Sequence, residues 1–414
     1  MNSHRARIAI SLVYLLHLPT AAGQSLLNLG ALYAGGYSEA RAVSSDGSVV
    51  VGRGNSVGSE AKAFRWTAAT GVRSLGTFTG GNTSHAWGVN SSGSIVVGNS
   101  NSTGGNWSAF RWTSSSGLIQ LFSGGKTALS ISSDGLVIVG ETGGPGAFRW
   151  TQGGGAQSLS GLGDVWWSRA WGTDADGSVV VGEGSTCCSG KAHALRWSAN
   201  TGTQDLGDLP GGEAKGSIAF ATNADGSAVV GLSILDGSNQ AFLWTQDDGM
   251  VSLGTLGDGY SSQANAVSGD GRIVVGMNVG HIPIPYQSYR AVIWNSDSGM
   301  FSLFDYLAAR GVNLAGWTSL DYAAGISSNG RFVVGTGTFG GRQRAFLADL
   351  GPVFPCRFDL DGDHEVNTGD LSLLLMEFGG CVVGSACPAD VDGTGEVDSG
   401  DLSSLLLQFG PCAN

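Results

Sequence analysis

Apolar and polar positions along this chain fall into short strips that recur in a fixed order, separated by turns rich in Gly and Asp. One β-branched phrase occurs seven times, as VSSDGSVVVG ending at Gly52, VNSSGSIVVG at Gly98, ISSDGLVIVG at Gly140, TDADGSVVVG at Gly182, TNADGSAVVG at Gly231, VSGDGRIVVG at Gly276 and ISSNGRFVVG at Gly335. Successive copies lie 46, 42, 42, 49, 45 and 59 residues apart. A second phrase of the AFRW type follows each, ending at Trp66, Trp112, Trp150, Trp197, Trp244, Trp294 and Ala348, and a third of the SLG type follows six of them. Each unit offers four short β-branched or aromatic segments between tight turns, the pattern of a four-stranded antiparallel sheet.

The missing third phrase stands at the other end of the chain, as SLLNLGAL over 25–32, ahead of the first unit. An N-terminal strand that completes the last unit is how a circular array of sheets removes its free edges. The expected fold is therefore an all-β, seven-bladed β-propeller. If the SLG strand is outermost, the segment after it is innermost and carries small residues near the axis, beginning at Ala40, Ala86, Ala128, Ala170, Ala221, Ala264 and Ala323. The Asp-Gly hairpins then share one face with the T-x-x-x-G turns. The variable connections, 80–85, 164–169, 210–216 and 257–263 from one junction and 53–62, 99–108, 183–193 and 277–289 from the other, share the opposite face, where recognition is expected. The segment 304–320 lengthens the last spacing and reads as a short helix plugging one end of the ring.

Trp66, Trp112, Trp150, Trp197, Trp244 and Trp294 are expected to pack between blades, and Arg65, Arg111, Arg149 and Arg196 beside them to make inter-blade polar contacts. Asp46, Asp134, Asp176, Asp225 and Asp270 suit tight hairpins by accepting from their own backbone. Trp107, Trp166, Trp167, Tyr260, Tyr286 and Tyr289 fall in the variable loops. Flanked by Asn, Ser and Gly, such rings suit the C–H faces and hydroxyls of sugars or an extended peptide; packing of the loops on themselves is the other reading.

Only 13% of the 414 residues are charged and 70 are Gly, which leaves few helix-forming stretches. The net charge of -12, with 21 Lys and Arg spread singly, argues against nucleic acid, whose phosphates need clustered cations. A basic start, an apolar run over 8–18 too short to span a bilayer and small residues up to Gly23 read as a secretory signal over 1–23. The mature chain is then secreted or held at the cell surface with no membrane span, and six cysteines in an oxidising compartment suggest disulfides.

Over roughly 25–350 the repeated phrases resemble the HAF-repeat family of exported bacterial proteins, named for a His-Ala-Phe step before the tryptophan strand. This chain keeps that histidine once, as His193 ahead of Ala194 and Leu195. The resemblance implies an extracellular repeat protein without an established reaction.

The last 60 or so residues change character. Asp359, Asp361, Asp363, Asn367 and Asp370 take positions 1, 3, 5, 9 and 12 of a calcium loop, with Glu365 at position 7 offering its carbonyl. Leu371, Leu374, Leu375 and Phe378 follow at helical spacing. The unit returns 31 residues later as Asp390, Asp392, Thr394, Glu396, Asp398 and Asp401, followed by Leu402, Leu405, Leu406 and Phe409. Two such half-EF-hands can bury their helices against each other, and calcium at two sites is the expected cofactor. Over 356–412 the tail resembles a type I dockerin of the variety whose repeats end in Gly and Cys. His364 stands where that family has a turn Gly, and Thr394 where it has an acidic ligand. The resemblance implies a cohesin-like or cell-surface partner met at loop positions 10 and 11, Thr368 with Gly369 and Ser399 with Gly400. The domains expected are 1–23 signal, 24–351 propeller and 352–414 dockerin-like tail.

Cys356 and Cys387 each precede a loop, while Cys381 and Cys412 each end a helix. A nine-residue helix is about 14 Å long, too long for a bridge within one repeat, so antiparallel packing favours Cys356–Cys412 and Cys381–Cys387. Pairing within each repeat is the alternative. Cys187 and Cys188, adjacent in a loop, form either a vicinal bridge or free thiols.

Among chemical constellations, Glu141 and Glu183 follow the VVG phrase in adjacent units and are candidates for a carboxylate pair. No HExxH, nucleophile elbow or phosphate loop accompanies them, so the catalytic set is empty. The expected function is a non-catalytic binding or scaffold protein whose loop face recognises a glycan or a protein, anchored by its calcium-dependent tail. The alternatives are a secreted polysaccharide-degrading enzyme carrying a dockerin and a structural surface repeat without ligand.

Overall fold

The computed structural model describes residues 24–351 apart from 57–59, 145, 160–164, 187–190, 212–215, 258, 281–287 and 297, and in the tail residues 360, 365–380, 389–390, 396–406 and 410–411. Seven four-stranded antiparallel sheets succeed one another over 38–76, 84–120, 125–159, 165–205, 217–254, 259–302 and 317–349, in that order the seven blades. In the first six, strand order from axis to rim is chain order. The seventh takes its outermost strand from the N-terminus: Ser25–Asn28 pairs with Arg342–Asp349, Ser25 opposite Asp349 and Asn28 opposite Phe346. The ring therefore closes as the sequence predicts. Around this seam Leu29 N–H donates to the Ala345 carbonyl at 3.0 Å, Ala345 N–H donates to Ser38 Oγ at 2.9 Å, and Arg342 and Arg344 donate to the Gly35 and Gly36 carbonyls.

The AFRW strand shows why its residue types recur. Phe64, Phe110, Phe148, Phe242 and Phe346 are buried completely or nearly so and seat the wedges between blades. Burial of one such ring is worth about 2–3 kcal/mol. The tryptophan two residues on shares that face and packs against the same cores, as expected. The arginine between them points the other way. Arg65, Arg149 and Arg196 donate to the carbonyls of Gly93, Gly177 and Gly226 in the hairpin of the next blade. The hairpin aspartates also act as expected, Asp46, Asp134, Asp176, Asp225 and Asp270 each accepting a backbone N–H two residues on. A buried serine adds a clamp that repeats from blade to blade: Ser38, Ser84, Ser168, Ser217 and Ser262 each accept the N–H of an alanine in the preceding blade's third strand.

Two expectations need correction. In blade 5 the residue equivalent to Ala40 is Ala219, which pairs with Gly231 as Ala40 pairs with Gly52; Ala221 lies two positions later, beyond a bulge that the phrase alone does not reveal. The inserted helix α1 (Leu303–Ala308), capped by Ser302, does not plug the ring. Leu303 and Leu307 are fully buried in the wedge between blades 6 and 7, because an amphipathic turn finds more apolar surface there than at the axis.

One end of the ring is narrowed by the backbone instead. Ser45 N–H donates to the Ser91 carbonyl, Ser91 to Ser133, Ser133 to Ala175, Ala175 to Ala224, Ala224 to Gly269 and Gly269 to Ser328, at 2.7–3.0 Å. These six links form a girdle around the axis on the hairpin face. Its residues are all Ser, Ala or Gly, and a Cβ on Gly269 would stand 2.4 Å from Ser328 Oγ.

In the tail, helix α2 (Thr368–Met376) and helix α3 (Ser399–Leu406) pack together through Leu374 and Leu405, both fully buried, with Val366, Ala389 and Val397. Glu365–Val366 pairs with Gly410–Pro411, and Gly379–Gly380 with Glu396–Val397, so the start of each repeat lies beside the end of the other. Leu371 and Leu402 are only partly buried, and Leu375, Phe378 and Leu406 are half exposed, so the helices share a narrower apolar seam than their spacing predicts. No helix among the described residues is long and apolar enough to cross a membrane.

Candidate functional site

Every inner strand carries a β-bulge at the same place. The register shifts between Ala40 and Ala42, Ala86 and Gly88, Ala128 and Ser130, Ala170 and Gly172, Ala219 and Ala221, Ala264 and Ala266, and Ala323 and Gly325. A bulge leaves one residue unpaired and re-aims its side chain. The seven bulged residues are Arg41, Trp87, Leu129, Trp171, Phe220, Asn265 and Ala324, and all line an axial cavity of about 460 Å³. Beyond it, toward the girdle, the channel shrinks to about 140 Å³.

The wall of the axial cavity is two-sided. Blades 2 to 5 present Trp87, Leu129, Trp171 and Phe220, with Trp171 and Phe220 edge to face at 5.5 Å. Blades 6, 7 and 1 present Asn265, Tyr322 and Arg41, with Gln263 donating to Asn265 at 2.7 Å. An amphipathic ligand is the kind such a mouth accommodates, a ring face against the indoles and polar groups against the amides and guanidinium.

Polar residues fix these walls from behind. Trp87 Nε1 donates to Asn99 at 3.1 Å, Asn99 to Thr127 at 3.4 Å, and Thr127 to Glu141 at 3.1 Å. Arg169 then bridges Glu141 at 2.7 Å and Glu183 at 3.5 Å, and Trp171 Nε1 donates to Glu183 at 3.0 Å. The Arg169 guanidinium also lies 5.0 Å from the Trp171 ring centroid. Burial pushes the Glu183 carboxyl up, against the hydrogen bond from Trp171 and the charge of Arg169. Glu141 and Glu183 do face one region, as the sequence suggests, but an arginine stands between them, which suits a structural brace better than a hydrolytic pair.

A second charged group lies across the channel. Glu39 accepts from Arg41 Nη2 and Arg53 Nε, both at 2.8 Å. Burial raises the Glu39 carboxyl, but the hydrogen bond from Arg53 and the charges of both arginines outweigh it and hold it below the usual carboxylate range. Arg41 lies 5.0 Å from the Trp87 ring and 5.8 Å from the Tyr322 ring, and its buried Nε has no hydrogen-bond partner among the described residues. Arg41 and Tyr322 also form part of the wall of an adjoining cavity of about 400 Å³ between blades 6, 7 and 1.

Of the aromatics chosen from the sequence, Trp107, Trp166, Trp167, Tyr260 and Tyr289 lie in strands rather than loops. Trp107 opens the strand Trp107–Thr113 and stacks on His85 at 5.3 Å, which in turn meets Trp87 edge-on at 6.2 Å. Trp166 and Trp167 belong to the inner strand Val165–Thr173, and Tyr260 to Gly259–Val267. They lie in strands because the sheets extend past the repeated phrases toward the loop face. Tyr260 and Tyr289 are exposed, and Tyr289 lines the cavity between blades 6, 7 and 1. Tyr286 lies outside the described residues. What sequence reading missed was the bulged position. Its signal was available: one residue varies as Arg, Trp, Leu, Trp, Phe, Asn and Ala inside a phrase that otherwise repeats.

In the tail the last carboxylate of each loop is fully buried. Asp370 accepts the N–H of Asn367 at 2.8 Å and of Leu360 at 2.5 Å, and Asp401 accepts the N–H of Asp398 at 2.9 Å. Asn367 caps helix α2 in return. Asp390, Glu396, Asp398, Thr368 and Ser399 are described, as is the backbone of Glu365; Asp359, Asp361, Asp363, Asp392 and Thr394 lie outside the described residues. So do all six cysteines, Cys187, Cys188, Cys356, Cys381, Cys387 and Cys412. Among the described residues no three His, Cys, Asp or Glu side chains converge as a metal site.

Fold and site together define a seven-bladed propeller with a mixed polar and aromatic axial mouth. No protein-family model and no curated protein matches the chain. Among solved structures it is similar to TolB from Acinetobacter baumannii, 14% identical with a TM-score of 0.38 over 55% of this chain and 53% of that one. It is also similar to the hydrazine synthase of Kuenenia stuttgartiensis, 14% identical with a TM-score of 0.44 over 74% of this chain and 94% of that one. The chain thus spans about half the length of the TolB structure, and likenesses this distant carry no argument about function.

Proposed function

We propose that the chain is an exported, non-catalytic binding protein. The propeller takes its ligand, a glycan or a protein segment, at the loop-side mouth of the axial channel. Residues 1–23 direct export, 24–351 form the binding module, and 352–414 form a dockerin-like tail that moors it to a cohesin-like or cell-surface partner. The observation that carries this reading is the ring of bulges. Seven strands spend an irregularity at the same place to aim seven side chains at the axis, and those side chains diverge while their neighbours repeat.

The tail's calcium would be held by Asp359, Asp361, Asp363, Asn367 and Asp370, with the Glu365 carbonyl, in the first loop, and by Asp390, Asp392, Thr394, Glu396, Asp398 and Asp401 in the second. What supports this is that Asp370 and Asp401, the twelfth residue of each loop, are both fully buried at the start of their helices, which places a carboxylate at the same point of each repeat. The enzymatic alternative rests on Glu141 and Glu183, and the arginine between them weighs against it.

The test is a glycan array and a surface-protein pull-down with residues 24–414, beside the double variant Trp171→Ala, Phe220→Ala. Binding that falls about tenfold or more in the variant is expected. No binding of any glycan or surface protein by the parent chain, or hydrolysis of a polysaccharide by it, would overturn the reading; binding unchanged by loss of both rings would move the site away from the channel mouth.

A further inference from the structure

We propose that the seam between the last and first blades holds a carbohydrate site for a neutral, polyhydroxylated ring. This deepens the reading of the chain as a binding protein and rests on it. The cavity measures about 400 Å³, within the roughly 300–1,000 Å³ of small-ligand pockets. Glu39, Arg41 and Arg53 reach it from blade 1, Asp321 and Gln343 from blade 7, and Tyr289 from blade 6.

Asp321 is an addition to the repeat. By register the clamp position, Ser38 opposite Gly54 in blade 1, falls in blade 7 on Leu320, which pairs with Gly337 and is buried in the wedge. Asp321 is the unpaired residue of a second bulge, between Leu320 and Tyr322, which blades 1, 2 and 5 lack and which blade 3 matches at Lys126. The added bulge re-aims this side chain, and it lines the cavity. Burial pushes its carboxyl up, opposed by hydrogen bonds from Ser319 and Thr338.

The lining then selects the ligand by charge and shape. A net anion would meet Glu39 and Asp321, and a net cation would meet Arg41 and Arg53, so neither charge sign is favoured outright. A polyol donates and accepts at neighbouring hydroxyls and can use acids, guanidinium groups and the Gln343 amide together, while an exposed tyrosine ring such as Tyr289 offers a face for its C–H bonds. Arg41 brings a further donor, its buried Nε, for which the described residues supply no acceptor.

The experiment is saturation-transfer NMR and microcalorimetry on residues 24–414 with glucose, galactose, mannose, xylose, N-acetylglucosamine and cellobiose, and with glucuronate and glucosamine as charged comparators. At least one neutral sugar binds, and Asp321→Ala and Gln343→Ala each weaken it about tenfold while the unfolding midpoint stays in place. Glucuronate and glucosamine bind more weakly than that sugar. No transfer to any neutral sugar overturns the proposal, as does preference for a charged one. Sugar binding that survives both seam variants but fails in the Trp171→Ala, Phe220→Ala channel variant sinks the seam site and leaves the broader function standing.

Discussion

His85 shows how a single residue ties the loop face to the stability of the ring. Its imidazole lies between Trp107 and Trp87, and burial holds it down at about 4, with repulsion from Arg53 and Arg41 adding and Glu39 opposing. A histidine depressed on folding is protonated first in the unfolded chain, so its contribution to stability is present above the unfolded value and is lost as pH falls. The window runs from about 6.5 down to about 4. Unfolding midpoints measured across that range should fall more steeply for the parent than for His85→Gln; equal slopes would show that the imidazole does not carry the effect. At this scale the sequence was a partial guide. The packing tryptophans, bridging arginines and hairpin aspartates were legible because each repeats with its phrase. His85, Asp321 and the bulged residues were not, since their meaning comes from what other blades place opposite them.

The strand was the most legible element and the bulge the least. Repeated phrases located the sheets, and the misplaced SLG copy located the closing strand, because an edge needs a partner wherever it comes from. A bulge leaves no mark in binary pattern, only a slip of one residue, which is why the blade 5 register was misread at Ala221. The glycine opposite each bulge holds the clearest physical trace. A Cβ on Gly52, Gly98, Gly140, Gly182, Gly231, Gly276 or Gly335 would stand 1.9–2.0 Å from an inner-strand carbonyl, so the VVG phrase ends in glycine because the bulge pushes that carbonyl inward. The closing strand yields its own expectation. Removing residues 24–29 strips the pairing of Ser25–Asn28 and the buried Leu29, and calorimetry should record a midpoint lower by at least about 5 °C together with loss of sugar binding at the seam. An unshifted midpoint would mean that the ring holds without its last strand.

For the whole molecule, the expectation is two units that fail separately. The tail has its own small core of Val366, Leu374, Ala389, Val397 and Leu405 around two buried aspartates, and the propeller cores draw on none of these. With calcium, scanning calorimetry should show two transitions; a chelator should abolish the smaller and leave the larger, and a single trace indifferent to chelator would count against a metal-held tail. In the tail the leucine spacing located helices α2 and α3, because an apolar stripe at that period has to be buried against a partner. The girdle bears on the gene as much as on the protein. Its links run one way round from Ser45 to Ser328, each 2.7–3.0 Å long, so the circumference is set by the number of units. Recombination between such similar stretches of coding sequence would readily add or drop one, yet a six- or eight-membered circle would have to reset every link at once. Seven is therefore a count that purifying selection has reason to defend.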